Sequence, residues 1–246
     1  TFDGDTKSMS VSGGIKAGGM TTNGNVGIGV LNPQNKLDVK GIIFITKHPM
    51  MLEHKLATKP PNVPFIVHCT ITGFGGEPIE PNVPKAELAL KGYHGLVDAY
   101  GKNNVILRVD PLLLYDKAMP ILREAEGRVR ISFVDGYPHV RERFNNRCKE
   151  YLPLLPSSFH FPLAARQEVA QKVHTLLGYP PEICGEPDMS CTGCVSDLDL
   201  QALGIGKTTS NTSHQRNACR CLAQKTELLS RRHPCPHNCA YCYWKD

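Results

Sequence analysis

From Ile42 onward the chain alternates short apolar runs with longer amphipathic segments. The runs at 42–46, 64–71, 105–109, 129–134 and, more briefly, 182–184 are rich in Val, Ile and Phe and are bounded by Gly, Pro, Asn or Asp, which predicts β-strands. Between them, 85–100, 115–126 and 164–177 carry apolar residues at helical spacing. The second of these contains Pro120, and a helix that begins at that proline is an alternative, since proline is tolerated in a first turn. Strand and helix in regular succession predict an α/β fold, either an open parallel sheet covered by helices or a partial (β/α) barrel. Five strands are too few for a closed eight-stranded barrel.

Residues 1–41 follow a different pattern. They are rich in Gly, Ser, Thr and Asn, and isolated Val and Ile residues stand between glycines, as in Gly24-Asn25-Val26-Gly27-Ile28-Gly29. Such a stretch forms short strands and turns and has little from which to build a core. The segment resembles the Gly-Asn-rich β-segments of phage tail-fibre proteins. The expected organisation is an extension at 1–41 outside the core, an α/β core at 42–183, and a cysteine-rich metal-binding segment at 184–246.

In parallel sheets, binding and chemistry collect where strands end at the carboxyl edge. Lys47 follows the first strand, Arg108 and Asp110 close the third, and Asp135 follows the fourth. Arg108, Asp110 and Asp135 are therefore the candidate catalytic residues. For Arg108 and Asp110, which share one side of an extended strand, simple pairing with each other is the competing expectation.

The chain has ten cysteines, and five of them, Cys219, Cys221, Cys235, Cys239 and Cys242, fall in the last 28 residues. Cys235, Cys239 and Cys242 form a C-x3-C-x2-C run. Three thiolates at that spacing can hold one side of a cuboidal iron–sulfur cluster and leave one iron without a protein ligand. Cys219 and Cys221 are a supporting pair or part of a second site, and Cys184, Cys191 and Cys194 form a further C-x6-C-x2-C group able to bind metal. Structural zinc is the alternative metal for either group. Disulfides fit poorly, because C-x-C and C-x2-C pairs suit metals better than bridges. Gly204-Ile205-Gly206-Lys207-Thr208 imitates the end of a phosphate-binding loop, but Gln201 stands where that motif needs glycine and no strand precedes it.

A hydrophobic content of 41% is that of a globular chain, and no apolar run approaches the length of a membrane span. The absence of an apolar leader points to the cytoplasm. The net charge of +5 is modest and dispersed, which argues against a nucleic-acid partner.

The tail motif, with Tyr241 in the aromatic slot before the last cysteine, is similar to the C-x3-C-x-aromatic-C signature of radical S-adenosylmethionine enzymes. Further matching pieces run through the chain in order: Ile43 to Pro49, Thr70 to Gly73 with Ile79 to Pro84, Val105 to Pro111, Ile131 to Asp135, and Gln215 to Cys221. On these residues the chain from 42 to 246 resembles the bacterial domain of unknown function numbered eighteen-forty-eight, regarded as radical-SAM-like. The resemblance implies a [4Fe–4S] cluster and S-adenosylmethionine, with Tyr241 and Lys47 as cofactor contacts. It also implies an electron donor and an unidentified small-molecule or macromolecular substrate. A structural iron–sulfur or zinc protein without catalysis is the alternative implied by Cys219 and Cys221, which offer a fourth ligand.

Overall fold

The computed structural model describes residues 26–28, 37–206, 218–222 and 235–243. Expectations for the remainder of 1–41, and for Gly206-Lys207-Thr208 beyond its first residue, lie outside the described residues. Strands β1 (Val26–Ile28) and β2 (Leu37–Val39) pair with each other in parallel, apart from the main sheet. That sheet has five strands, all parallel: β3 (Ile42–Thr46), β4 (Phe65–Thr70), β5 (Val105–Leu112), β6 (Val129–Phe133) and β7 (Glu182–Ile183). Their spatial order follows the chain order. Each crossover helix therefore returns the chain to the strand next in line, without the reversal of a doubly wound sheet.

One face of the sheet is oily, as the strand pattern requires. Val67, Cys69, Val105, Leu107, Val109, Val129, Ile131 and Phe133 pack against buried residues of three long helices. These are α2 (Ala86–Tyr100), α3 (Tyr115–Leu122) and α5 (Leu163–Leu177). Full burial of each such aliphatic side chain contributes about 1.5–3 kcal/mol. Helix α3 starts at Tyr115 and carries Pro120 within it, so the start at Pro120 does not occur. Strand β5 runs three residues past the predicted end, through Asp110 and Pro111 to Leu112, with an irregular register against β6 after Val109.

Three helices escape the apolar pattern, and caps or prolines set where they start. In α1 (Pro49–Thr58) only Pro49 and Leu56 are buried; its start is set by proline at the first position and by His48 Nδ1, which accepts from Met51 N at 3.3 Å. In α4 (Pro138–Arg147) only Val140 and Phe144 are buried, one turn apart. The short α6 (Asp197–Ala202) depends on a capping box between Ser196 and Asp199.

The other face of the sheet is layered. Near the amino ends Ile66 and Ile106 pack with Leu203. His68, in register with Ile106, comes next, and then Arg130 and Arg108, in register with each other and with Thr70; His68 and Arg130 have no exposed surface. Arg130 donates to Glu182 of β7 and to Asp199 of α6, and Arg128 donates to the same two carboxylates, to Asp199 at 2.8 Å. His68 Nε2 lies 3.8 Å from Asp199 Oδ1. Burial, against the pull of the Asp199 hydrogen bond and with the help of Arg130, lowers the His68 pKa from 6.5 to about 4. The imidazole is therefore neutral at pH 7, and two guanidinium groups face two carboxylates.

The sign of the resulting pH dependence follows directly. On acidification the unfolded chain takes up the His68 proton near pH 6.5, whereas the folded chain resists until about 4. Stability should therefore fall as pH drops through this window, by about 2 kcal/mol between roughly pH 7 and pH 5. Urea unfolding of the wild type and His68→Gln at both pH values measures it as the difference in slope between the two proteins. Equal slopes would mean that His68 is not the titrating group.

Candidate metal centre

The loop that follows β7 carries three of the cysteines singled out by spacing, and two buried ion-pair systems hold it. Glu186 accepts from Phe133 N at 2.7 Å and from Arg166 of α5 at 3.2 Å, while Arg166 also donates to Pro187 O. Arg130 donates to Cys194 O at 2.8 Å. Within the loop, Thr192 N donates to Ile183 O, and Cys191 Sγ is engaged with Glu186 N at 3.2 Å and Glu186 O at 3.1 Å. Cys191 is thereby turned to the backbone of its own loop.

The segment 218–222 lies directly against this loop. Leu222 N donates to Val195 O, and Cys194 N donates to Cys221 Sγ at 3.1 Å. Gly193 makes the approach possible: it has φ +83, and a Cβ there would stand 2.7 Å from Arg220 O and 2.8 Å from Cys221 N. The result is a group of three sulfurs from three places in the chain. Cys184, Cys194 and Cys221 place their Sγ atoms within 4.8 Å of one another, with Cys194 and Cys221 at 2.9 Å. Hydrogen bonding with Cys194 and Cys221, reinforced by burial, pushes the Cys184 thiol strongly upward. Three such groups cannot all ionise side by side without a cation.

Arg108 and Asp110 stand at this group. They pair with each other, Asp110 also accepts from Ser132 Oγ, and Arg108 lies within electrostatic reach of Cys184, Cys194 and Tyr243. The expectation that they pair is met, beside the three thiols. Asp135 is elsewhere, 3.3 Å from His160 Nδ1, on the wall of an open cleft of about 390 Å³ that Gly185 and Ala218 also line.

The tail cysteines occupy the carboxyl ends of β3 and β4. Ala240 is fully buried in a second apolar cluster with Phe74, Ile79, Leu113, Val134, Phe144 and Phe159, formed by the loops above the sheet. Ala240 N donates to Ile79 O, Asn82 Nδ2 to Pro236 O at 2.8 Å, and Arg143 to Cys242 O at 2.6 Å. Lys47 Nζ lies 2.8 Å from Glu80 Oε1 and 2.5 Å from Tyr241 Oη, and Tyr241 donates to Glu80. Cys239 is buried, Cys242 half-buried and Cys235 exposed. Burial pushes the Cys239 thiol up to about 12, against the opposing pull of Lys47. Cys235, Cys239 and Cys242 are not among the groups whose sulfurs lie within 4.8 Å of one another. Cys219 is half-buried beside Cys221.

The spacing of cysteines thus named all three members of the compact group but did not show that they meet. Arg130, Asp199 and Gly193 were not singled out, and Glu80 and His68 were given no role at the site. The signal for Arg130 and His68 was present in the alternation of their strands, which places both on the face opposite the apolar one.

These features define a parallel α/β protein with a thiol-rich, metal-competent carboxyl edge. A family model described as a domain of unknown function (DUF1848) matches residues 30–244, and the chain belongs to that family. The match begins within the segment read from sequence as an extension. Neither the curated proteins nor the solved structures contain a match. Among the described residues, no helix is long and apolar enough to cross a membrane.

The ion pairs that hold the cysteine loop generate a stability prediction. Replacing Arg130 with methionine leaves Glu182 and Asp199 buried with Arg128 alone, which is expected to cost about 3–5 kcal/mol. Urea unfolding measures it. A loss below about 1 kcal/mol, the range of an exposed pair, would show that the network is not a determinant of the fold.

Proposed function

We propose that this protein is an iron–sulfur protein of radical S-adenosylmethionine type, with Cys235, Cys239 and Cys242 as ligands to a [4Fe–4S] cluster. The observation that carries the reading is the position of the C-x3-C-x2-C tail. It is docked on the carboxyl edge of a parallel sheet, with a lysine, a glutamate and a tyrosine from three segments joined beside it. The donor set fits a cluster, since three thiols with wider separation than one ion requires are what a cuboidal cluster takes. When bound, a cluster with one iron free of protein ligands would coordinate S-adenosylmethionine and supply one-electron reductive cleavage of its sulfonium.

The chain's own groups take the remaining tasks. The Lys47 ammonium offsets negative charge from nearby thiolates, and Glu80 and Tyr241 fix its position. The buried Ala240 sets the tail in register with Ile79 and keeps water from one side of the motif. Arg108 and Asp110 offer a cation and a carboxylate to a substrate entering over β5, and Asp135 offers a second carboxylate in the adjoining cleft. An external electron donor completes the system, and the substrate is unidentified. A second reading, a metal protein without catalysis, is favoured by the compact group of Cys184, Cys194 and Cys221, which binds together loops around the edge.

Anaerobically reconstituted protein is expected to hold about four irons per chain. On reduction it should release 5′-deoxyadenosine from S-adenosylmethionine without added substrate. Alanine at Cys235, Cys239 or Cys242 should abolish release, and Lys47→Met should slow it about tenfold, a loss typical of a group that supports a metal site from outside its ligand set. A stable four-iron cluster that never cleaves the cofactor, and that is lost when Cys219 or Cys221 is changed, would establish the second reading.

A further inference from the structure

We propose that Cys184, Cys194 and Cys221 bind one zinc-type divalent ion, separate in place and kind from the metal assigned to the tail. The argument rests on distance. A tetrahedral zinc ion with Zn–S bonds of about 2.3 Å holds its thiolates roughly 3.8 Å apart. The three sulfurs here all lie within 4.8 Å of one another, a spread that one ion spans once the Cys194 and Cys221 sulfurs, at 2.9 Å, open to that spacing. A cuboidal cluster inserts irons and sulfides between its cysteines and spreads them further. The Cys194 and Cys221 sulfurs, at 2.9 Å, are also well outside the length of a disulfide, about 2.05 Å.

The site is built, not merely crowded. Its ligands come from the end of β7, from the loop before α6 and from the segment 218–222, and each is fixed by contacts that involve no sulfur. Cys184 N donates to Ile131 O, Arg130 donates to Cys194 O, and Leu222 N donates to Val195 O. Gly193 supplies the close backbone approach that sets Cys221 against Cys194. Thiolate ligands select soft or borderline ions such as zinc over magnesium or calcium. Three sulfurs fill three of the four positions of such an ion, and the fourth ligand comes from outside the group.

The test uses the full chain, expressed with both iron and zinc supplied. About one zinc per chain is expected in addition to any iron. Exchange for cobalt(II) should give an intense thiolate-to-cobalt charge-transfer band and the visible bands of a tetrahedral site. Serine at Cys184, Cys194 or Cys221 should lower zinc retention at least tenfold and leave iron unchanged, whereas serine at Cys239 should do the reverse. The wild-type cobalt spectrum decides the matter even if a serine variant fails to fold. Wild-type protein that takes up neither zinc nor cobalt, with Cys194 and Cys221 recovered as a disulfide, would overturn the proposal. So would loss of iron from the Cys184, Cys194 and Cys221 variants equal to that from the Cys239 variant. The outcome is independent of whether the tail cleaves S-adenosylmethionine, because a zinc-loaded chain without iron would sink the cluster reading and leave this site standing.

Discussion

The guanidinium of Arg130 is the constraint on which the carboxyl-terminal third of the fold depends. It has no exposed surface and reaches Glu182 on β7, Asp199 on α6 and the carbonyl of Cys194. Each of these elements is too slight to hold itself. Strand β7 pairs with β6 at two register positions, and α6 spans six residues, well short of a helix that is stable alone. A buried arginine must have its charge met, so it fixes the position of whatever carries the answering groups. Arg128 doubles the connection, and the depressed pKa of His68 keeps a third cation out of the network.

The carboxyl edge is then organised by two different forces. On the β5 to β7 side, Arg130 and Arg166 position the loop of Cys184 and Cys194 through buried ionic hydrogen bonds. On the β3 and β4 side, the tail is anchored by burial of Ala240 among aromatic and aliphatic side chains, with backbone bonds fixing the register. The ionic anchor is directional and responds to protonation. The apolar one is tolerant of angle, and the contacts of Lys47 with Tyr241 and of Arg143 with Cys242 O add direction to it.

Much of the fold was legible because strands buried against helices must be apolar on that face. The five strands and the helices α2, α3 and α5 follow from that requirement, and the parallel sheet from their alternation; the order of the strands came from the structure. Helices α1, α4 and α6 were not legible, because each is placed by caps and prolines. The site was legible in kind and not in pairing. Cys184, Cys194 and Cys221 were all marked by spacing, but spacing describes local partners, and Cys221 meets Cys194 only because Gly193 admits a distant backbone. The role of Arg130 was hidden for the opposite reason, since a charged residue within an apolar strand reads as a surface position until both faces of the sheet are known to be covered.

Between residues 184 and 222 the described buried apolar side chains, cysteines apart, are only Leu200, Leu203 and Leu222. So small a set of contacts contributes on the order of 5–9 kcal/mol in burial, less than the conformational entropy of ordering the segment. Ion pairs supply position but little net stability, because desolvation of buried charges cancels most of their attraction. Sulfur ligation has neither weakness: a metal bound by thiolates from separate segments closes loops between them, and its binding free energy adds directly to that of folding. A region that has three thiols together and almost no described core is therefore one in which a metal ion, bound as proposed, would do the work that hydrophobic burial does elsewhere in the sheet.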